Sequence, residues 1–91
     1  NTLLTALQEV ESAMSLYKNS IAQIVSLREA VNQNRETLAL SLELYKQGLT
    51  EFQNVLDAQR NLLSYQNYLV QAHGSSLMYL VKLYEALGGG W

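Results

Sequence analysis

His73 is the only histidine of this 91-residue chain, and it is the first candidate for catalysis or metal binding. A catalytic or zinc-ligating imidazole needs a carboxylate, a thiol or a second imidazole at helical spacing, and the residues beside His73 supply none of these. Ser75 and Ser76 follow it, but no base is spaced to activate either hydroxyl. The chain also contains no cysteine, which excludes disulfides and thiolate metal sites. We therefore predict that the chain is not an enzyme and holds no metal or other cofactor.

The overall composition excludes further classes of function. The formal net charge is −2 and the six Lys and Arg residues are scattered, whereas a nucleic-acid binder needs a basic surface to neutralise phosphates. No apolar run approaches the roughly 20 residues of a membrane-spanning helix. The sequence begins at Asn1 inside a helical pattern, without an initiator Met or a signal peptide, so we expect it to be part of a longer protein.

The distribution of glycine and proline predicts two long helices and one turn. There is no proline, and the five glycines fall at three places, Gly48, Gly74 and 88–90. The sequence predicts a single helical hairpin with a first helix over about 3–46, a tip turn at 47–50, a second helix over about 51–87 and a Gly-rich tail at 88–91.

The first helix shows the alternating spacing of four and three residues that is typical of a coiled coil. Arg28 and Arg35 occupy two positions of this stripe, and we expect them to extend from a packed face towards charges on another helix. A helix with such a long stripe cannot bury it alone. The predicted stripe comprises Leu3, Leu7, Val10, Met14, Tyr17, Ile21, Ile24, Val31, Leu38, Leu42 and Tyr45.

The second helix carries three adjacent rows of apolar or small residues, each with a period of seven. This stripe is broader than the seam of a two-stranded coiled coil, so the helix is expected to touch more than one neighbour and the hairpin to self-associate. A wall of packed helices and a four-helix bundle both fit this pattern. The rows are Val55, Leu62, Leu69, Ser76 and Leu83; Leu56, Leu63, Val70, Leu77 and Tyr84; and Ala58, Tyr65, Ala72, Tyr79 and Ala86.

The residues of the predicted turn are of the types that end one helix and begin the next. Gly48 stands where a helix favours a left-handed residue after its last turn, and Leu49 could then fold back on Leu44 in a Schellman motif. Thr50 and Gln53 have the spacing of a capping box, in which the Thr hydroxyl accepts from the Gln amide and the Gln side chain returns to the Thr amide.

Three motifs carry a resemblance to a known family. Tyr45 and Gly48 form a Y-x-x-G turn, Val55 to Arg60 read V-L-D-A-Q-R, and Ala86 to Trp91 read A-L-G-G-G-W. Together they resemble the C-terminal helical hairpin of TolC-like outer-membrane efflux proteins. The resemblance covers the whole chain and implies an all-α fold, a long antiparallel coiled-coil hairpin within the periplasmic α-barrel of an outer-membrane channel.

The resemblance also implies function and partners. It implies a trimeric channel in the cell outer membrane, with this segment in the periplasm, that works with a periplasmic adaptor (membrane fusion) protein and an inner-membrane pump. Gly48, Leu49 and Thr50 would then form the tip that contacts the adaptor. Asp57 would face the pore near its periplasmic constriction, where a ring of such acids favours cations.

The sequence departs from some relatives at two positions of this site. Asn54 stands where some members have a second acid at the constriction, and Thr50 stands where some have a basic gating residue. The ionic latch of those relatives therefore does not carry over to this chain.

A free-standing coiled-coil hairpin that docks other helices without lining a pore is the alternative function. A pore-lining hairpin should keep a polar face along each helix, and the exposed polar rows expected here permit such a face. They comprise Gln8, Glu11 and Lys18 on the first helix and Gln53, Arg60 and Asn67 on the second.

Overall fold

The computed structural model describes residues 2–88, which form two long helices. Helix α1 spans Thr2–Lys46 and helix α2 spans Phe52–Gly88. No strand occurs within residues 2–88, so the predicted all-α helical hairpin is confirmed. Gly88 is the last residue of α2, and the rest of the predicted Gly-rich tail, together with Trp91, lies outside the described residues.

The chain divides into two compact units, each containing a part of both helices. The turn unit is Val25–Val70 and contains the turn between α1 and α2. The terminal unit combines α1 up to Ile24 with α2 from Gln71. Each unit has its own seam, where the two helices bury residues that repeat every three or four positions.

The seam of the turn unit is made mainly of branched aliphatic side chains. Val55 is only 2% exposed, and Val31 is 3% exposed. Ala58 is buried beside them, where its small side chain leaves room for larger ones on α1. The half-buried residues that complete this seam are Leu27, Asn34, Leu38, Ser41, Leu44, Leu62, Gln66 and Leu69.

The seam of the terminal unit is made mainly of small side chains. Ile24 and Ala72 are buried, and so are the hydroxyl-bearing residues Ser20 and Ser76. Ser20 Oγ donates a hydrogen bond of 2.6 Å to the carbonyl oxygen of Tyr17, which satisfies the buried hydroxyl without a partner on α2. The half-buried residues of this seam are Ala6, Val10, Ala13, Tyr17, Tyr79, Leu80, Leu83 and Ala86.

The stripe predicted for α1 is half right. The row Val10, Tyr17, Ile24, Val31 and Leu38 does face the seam. The other row predicted to face it is exposed, because the seam takes a row of smaller residues on the opposite flank. Small side chains let two helices approach closely, so they displace larger apolar ones to the rim. The exposed row comprises Leu7, Met14, Ile21, Arg28, Arg35 and Leu42.

The three rows of α2 separate into two that pack and one that does not. The rows that begin at Val55 and Ala58 form the α2 side of both seams, with Tyr65 at the rim. The third row begins at the half-buried Leu56 and continues through exposed side chains. The expectation that α2 carries apolar surface beyond its contact with α1 is therefore confirmed. The exposed members are Leu63 (59%), Val70 (70%), Leu77 (65%) and Tyr84 (68%).

Candidate interaction site at the helical turn

The turn ends α1 with a Schellman motif centred on Gly48. Gly48 has a φ of 75°, a left-handed conformation that residues with a Cβ rarely adopt. Its amide donates to the carbonyl of Tyr45 at 3.0 Å, and the amide of Leu49 donates to the carbonyl of Leu44 at 2.9 Å. This pair of hydrogen bonds is the predicted closure, and it satisfies two carbonyls that the helix end would otherwise leave open.

The start of α2 differs from the predicted capping box. The Gln53 side chain donates to the Asp57 carboxylate at 3.1 Å instead of returning to Thr50. Thr50 Oγ1 accepts from the Asn54 side chain at 2.6 Å, and the Asn54 amide donates to the carbonyl of Glu51. The capping box is therefore wrong, because α2 begins at Phe52 and its N-cap is Glu51, which leaves Thr50 one residue before the cap.

Three apolar side chains surround the turn and remain accessible. Leu49 is 69% exposed, so its side chain projects from the turn although its amide is bound. Tyr45 and Phe52 flank it at the end of α1 and the start of α2, with ring centroids 5.1 Å apart and an interplanar angle of 55°. Sequence reasoning missed this ring pair, although an aromatic residue on each side of a tight turn was a visible signal.

The two residues predicted to line a constriction lie side by side on the exposed first turns of α2. Asp57 is exposed and accepts the hydrogen bond from Gln53, while Asn54 is exposed and bonded to Thr50. Both hydrogen bonds link residues four apart on one helix face, which is the spacing that brings side chains together. The structure thus presents a polar surface that adjoins the turn and includes one negative charge.

Two shallow grooves follow the flanks of the hairpin, one in each unit. The groove of the turn unit has a volume of about 480 Å³ and is bordered by Leu38 of α1 and by Leu56 and Leu63 of α2. The groove of the terminal unit has a volume of about 370 Å³ and is bordered by Ser12 of α1 and Tyr79 of α2, among others. Both are open rather than enclosed, as expected of surfaces against which further helices pack.

Helix α2 of the terminal unit also has an apolar patch on the face away from its seam. The patch consists of Leu77, Met78, Val81 and Tyr84, each more than half exposed. Lys82 and Glu85 border it, so a charge of each sign lies at its edge. We call these four apolar residues the outer patch.

No candidate metal site occurs in the part of the chain that the structure describes. Residues 2–88 contain no group of three or more His, Cys, Asp or Glu side chains that could hold a metal ion. His73 is exposed and lies outside every feature described above. Neither helix, over the described residues, has a stretch apolar enough to cross a membrane.

These features define a class of protein, all-α helical hairpins that leave large apolar side chains exposed. The chain belongs to the outer membrane efflux protein family, whose profile it matches over residues 1–89. The family resemblance carried by the sequence motifs is therefore confirmed.

The curated relatives are outer membrane proteins of efflux and export pumps. The chain is 39% identical over 90 residues to the toluene efflux pump outer membrane protein TtgC of Pseudomonas putida. It is 33% identical over 90 residues to the solvent efflux pump outer membrane protein SrpC and to the pyoverdine export outer membrane protein OpmQ, both of the same species. Each match covers 99% of this chain and 19% of the relative, so the chain spans about a fifth of these proteins. No solved structure matches it.

Proposed function

We propose that this hairpin is part of the outer-membrane channel component of a tripartite efflux or export system, where it forms a segment of the periplasmic conduit. The observation that carries this proposal is the family match, which extends over residues 1–89. In this role the hairpin supplies a wall and a contact surface, and an inner-membrane pump supplies the energy. It takes no catalytic part and needs no cofactor.

The exposed apolar surfaces support assembly into a wall. The third row of α2 and the outer patch leave large apolar side chains in contact with water, an arrangement that is typical of interaction surfaces. Neighbouring hairpins of the same channel, arranged as a trimer around a common axis, would cover these surfaces.

The turn is proposed as the contact with the periplasmic adaptor. Gly48 has no side chain to hold a partner away, and nothing lies within 4 Å of the position that a Cβ would take there. Leu49 offers an accessible apolar side chain, and Thr50 and Asn54 offer polar groups beside it. A partner tip with an apolar side chain of its own could therefore approach the backbone at Gly48 closely.

The polar surface beside the turn is proposed as part of the pore constriction. Asp57 is exposed on α2, and one copy from each of three subunits would form a ring with negative potential that attracts cations. Asn54 lies one turn nearer the tip and adds no charge. The ring would therefore be less negative than in relatives that carry a second acid there.

The export pathway is proposed to serve small molecules that the pump selects. The relatives are named for toluene, solvents and pyoverdine, a range that a single pore lining does not specify. The grooves described above are open and are not shaped to choose among them.

The adaptor contact is tested in the full-length polypeptide that carries this hairpin, produced in a strain without its own channel protein. Leu49→Arg places a charge on the exposed tip without changing the backbone at Gly48, and Gln33→Arg adds the same charge at an exposed position of α1 away from the turn. We expect Leu49→Arg to abolish cross-linking to the adaptor and to lower the resistance of the strain to toluene, and Gln33→Arg to do neither.

Two results would contradict the proposal. Normal cross-linking and resistance with Leu49→Arg would remove the tip from the adaptor contact. A native polypeptide found as a soluble 10.2 kDa species would favour the free-standing scaffold hairpin over the channel.

A further inference from the structure

The ring pair at the turn joins residues from two helices. Tyr45 lies in the last turn of α1 and Phe52 is the first residue of α2. Their rings meet at 5.1 Å in a tilted arrangement, which is a favourable geometry for two aromatic side chains. Both side chains are nearly half exposed, Tyr45 at 44% and Phe52 at 48%, so the pair lies at the rim rather than in a core.

The hydrogen bonds described at the turn do not join α1 to α2 as the ring pair does. Those of Gly48 and Leu49 return to carbonyls of α1, and those of Asn54 stay between the turn and α2. Within the described residues of the turn, the hydrogen bonds thus close each helix end separately. The ring pair, by contrast, holds the first residue of α2 against the last turn of α1.

We propose that Tyr45 and Phe52 are positioning residues for the tip, and that their ring contact holds the start of α2, with Thr50 and Asn54, in the orientation to Gly48 and Leu49 that the adaptor recognises. The inference rests on the proposed function, because it assigns a role within the same adaptor contact. The partner is a protein tip that places an apolar side chain against Leu49 and the bare backbone of Gly48. Neither aromatic residue needs to touch that partner.

The physical argument concerns which tip conformations are populated. The residues between Tyr45 and Phe52 are few and mostly exposed, so the turn could pivot on its closed α1 end if the start of α2 were free. An aromatic pair of this kind shifts such an equilibrium by about two- to tenfold. A partner that binds only the held orientation loses affinity as that population falls.

The experiment uses the full-length polypeptide with a photo-cross-linking amino acid, p-benzoylphenylalanine, in place of Leu49. Phe52→Ala removes the ring at position 52, and Phe52→Tyr retains an aromatic ring there. Tyr68→Ala is the matched control, because Tyr68 is also about half exposed and forms a ring pair with Tyr65 at 5.9 Å, within α2 and away from the turn. Two readouts are taken, the yield of the adaptor cross-link identified by mass spectrometry and the hydrogen-exchange rate of the Asn54 backbone amide, which lies at the start of α2, in the protein without the photo-cross-linker.

We expect Phe52→Ala to accelerate exchange at the Asn54 amide by about two- to tenfold and to lower the cross-link yield. Phe52→Tyr should restore both values, and Tyr68→Ala should change neither. If Phe52→Ala does not reach the membrane, Phe52→Leu carries the same test, because it keeps apolar volume without a ring.

Each remaining outcome overturns a specific statement. Unchanged exchange in Phe52→Ala would overturn the positioning role whether or not the cross-link changes, and so would faster exchange with an unchanged cross-link. In both cases the proposed function stands if Leu49→Arg still abolishes the adaptor contact. If position 49 cross-links to no adaptor in the otherwise unchanged protein, the proposed function itself fails and the inference fails with it.

Discussion

The two units of the hairpin bury different kinds of side chain between their helices. The turn unit buries branched side chains such as Val31 and Val55 in its seam. The terminal unit buries one branched side chain, Ile24, and otherwise the small residues Ser20, Ala72 and Ser76, while many of its larger side chains are exposed. The larger exposed side chains of the terminal unit include Leu7, Met14, Ile21, Leu77, Met78, Val81 and Tyr84.

This difference indicates which part of the hairpin depends on partners. Burial of large apolar side chains is the main stabilising term in folding, so the turn unit gains more from its own seam than the terminal unit does from small ones. We therefore predict that the terminal unit depends more on neighbouring helices than the turn unit does. Most charged side chains also lie in the turn unit, as expected of a region whose outer surface meets water or a polar partner: Arg28, Glu29, Arg35, Glu36, Glu43, Lys46, Glu51, Asp57 and Arg60.

The largest effect is expected when the outer patch is made polar. The 91-residue chain should self-associate, and the double substitution Leu77→Glu and Val81→Glu should weaken this association by at least about 100-fold, because two apolar contacts are lost and two charges would need burial. Sedimentation velocity over a range of concentrations measures it.

The control for this prediction is Asn67→Glu, which adds charge at an exposed position of α2 in the turn unit. It should leave the association unchanged. If the unsubstituted chain is a stable, fully folded monomer at all concentrations, the terminal unit does not need partners. That result would contradict the difference drawn between the two units.

A smaller effect is expected from truncation in the seam of the turn unit. Val55→Ala should lower the free energy of unfolding by about 2 kcal/mol, because it removes buried methyl groups and leaves a cavity. Val25→Ala makes the same change at a position of the turn unit that is 59% exposed and outside the proposed contact surfaces, and should cost less than about 0.5 kcal/mol. Urea unfolding at a fixed protein concentration measures both. Equal costs would show that the turn unit does not rely on its own seam.

The smallest effects, of opposite sign, are expected at two glycines. Gly48→Ala should destabilise the hairpin by about 1 kcal/mol, because the φ of 75° at this position opposes a Cβ although space is available. Gly74→Ala should stabilise it by about 0.5 to 1 kcal/mol, because Gly74 lies inside α2 with open space around its Cβ position. Thermal unfolding followed by circular dichroism distinguishes the signs. A stabilising Gly48→Ala would contradict the strained turn.

The sequence was sufficient to predict the features that depend on local residue types or on the seven-residue repeat of apolar residues. The Schellman motif at Gly48 followed from a glycine at the end of a long apolar pattern, and the two packed rows of α2 followed from their period of seven. The family followed from motifs around Tyr45 and Asp57. The roles of Gly48, Leu49, Thr50, Asn54 and Asp57 stay predictions, because each depends on chains beyond this one.

The features that the sequence did not predict depend on which surfaces of the helices contact each other. α1 has large apolar residues on one flank of its seam and small ones on the other, and hydropathy favoured the flank that contains Met14 and Ile21. Packing favoured the flank that contains Ser20, since close approach of two helices is decided by size as well as polarity. The capping box failed for a different reason, because α2 begins at Phe52, so that Glu51 and not Thr50 is its N-cap.

The central claim is that the hairpin forms part of a channel wall with its outer patch covered and Asp57 facing the aqueous pore. The chain has no cysteine, so the single variants Leu77→Cys and Asp57→Cys can be introduced into the full-length polypeptide, in a background cleared of any other cysteines, and labelled with a membrane-impermeant maleimide in purified trimers. The account predicts rapid labelling at position 57 and protection at position 77, with both labelled after denaturation. Rapid labelling at position 77 in the folded trimer would contradict it, because the outer patch would then have no neighbour.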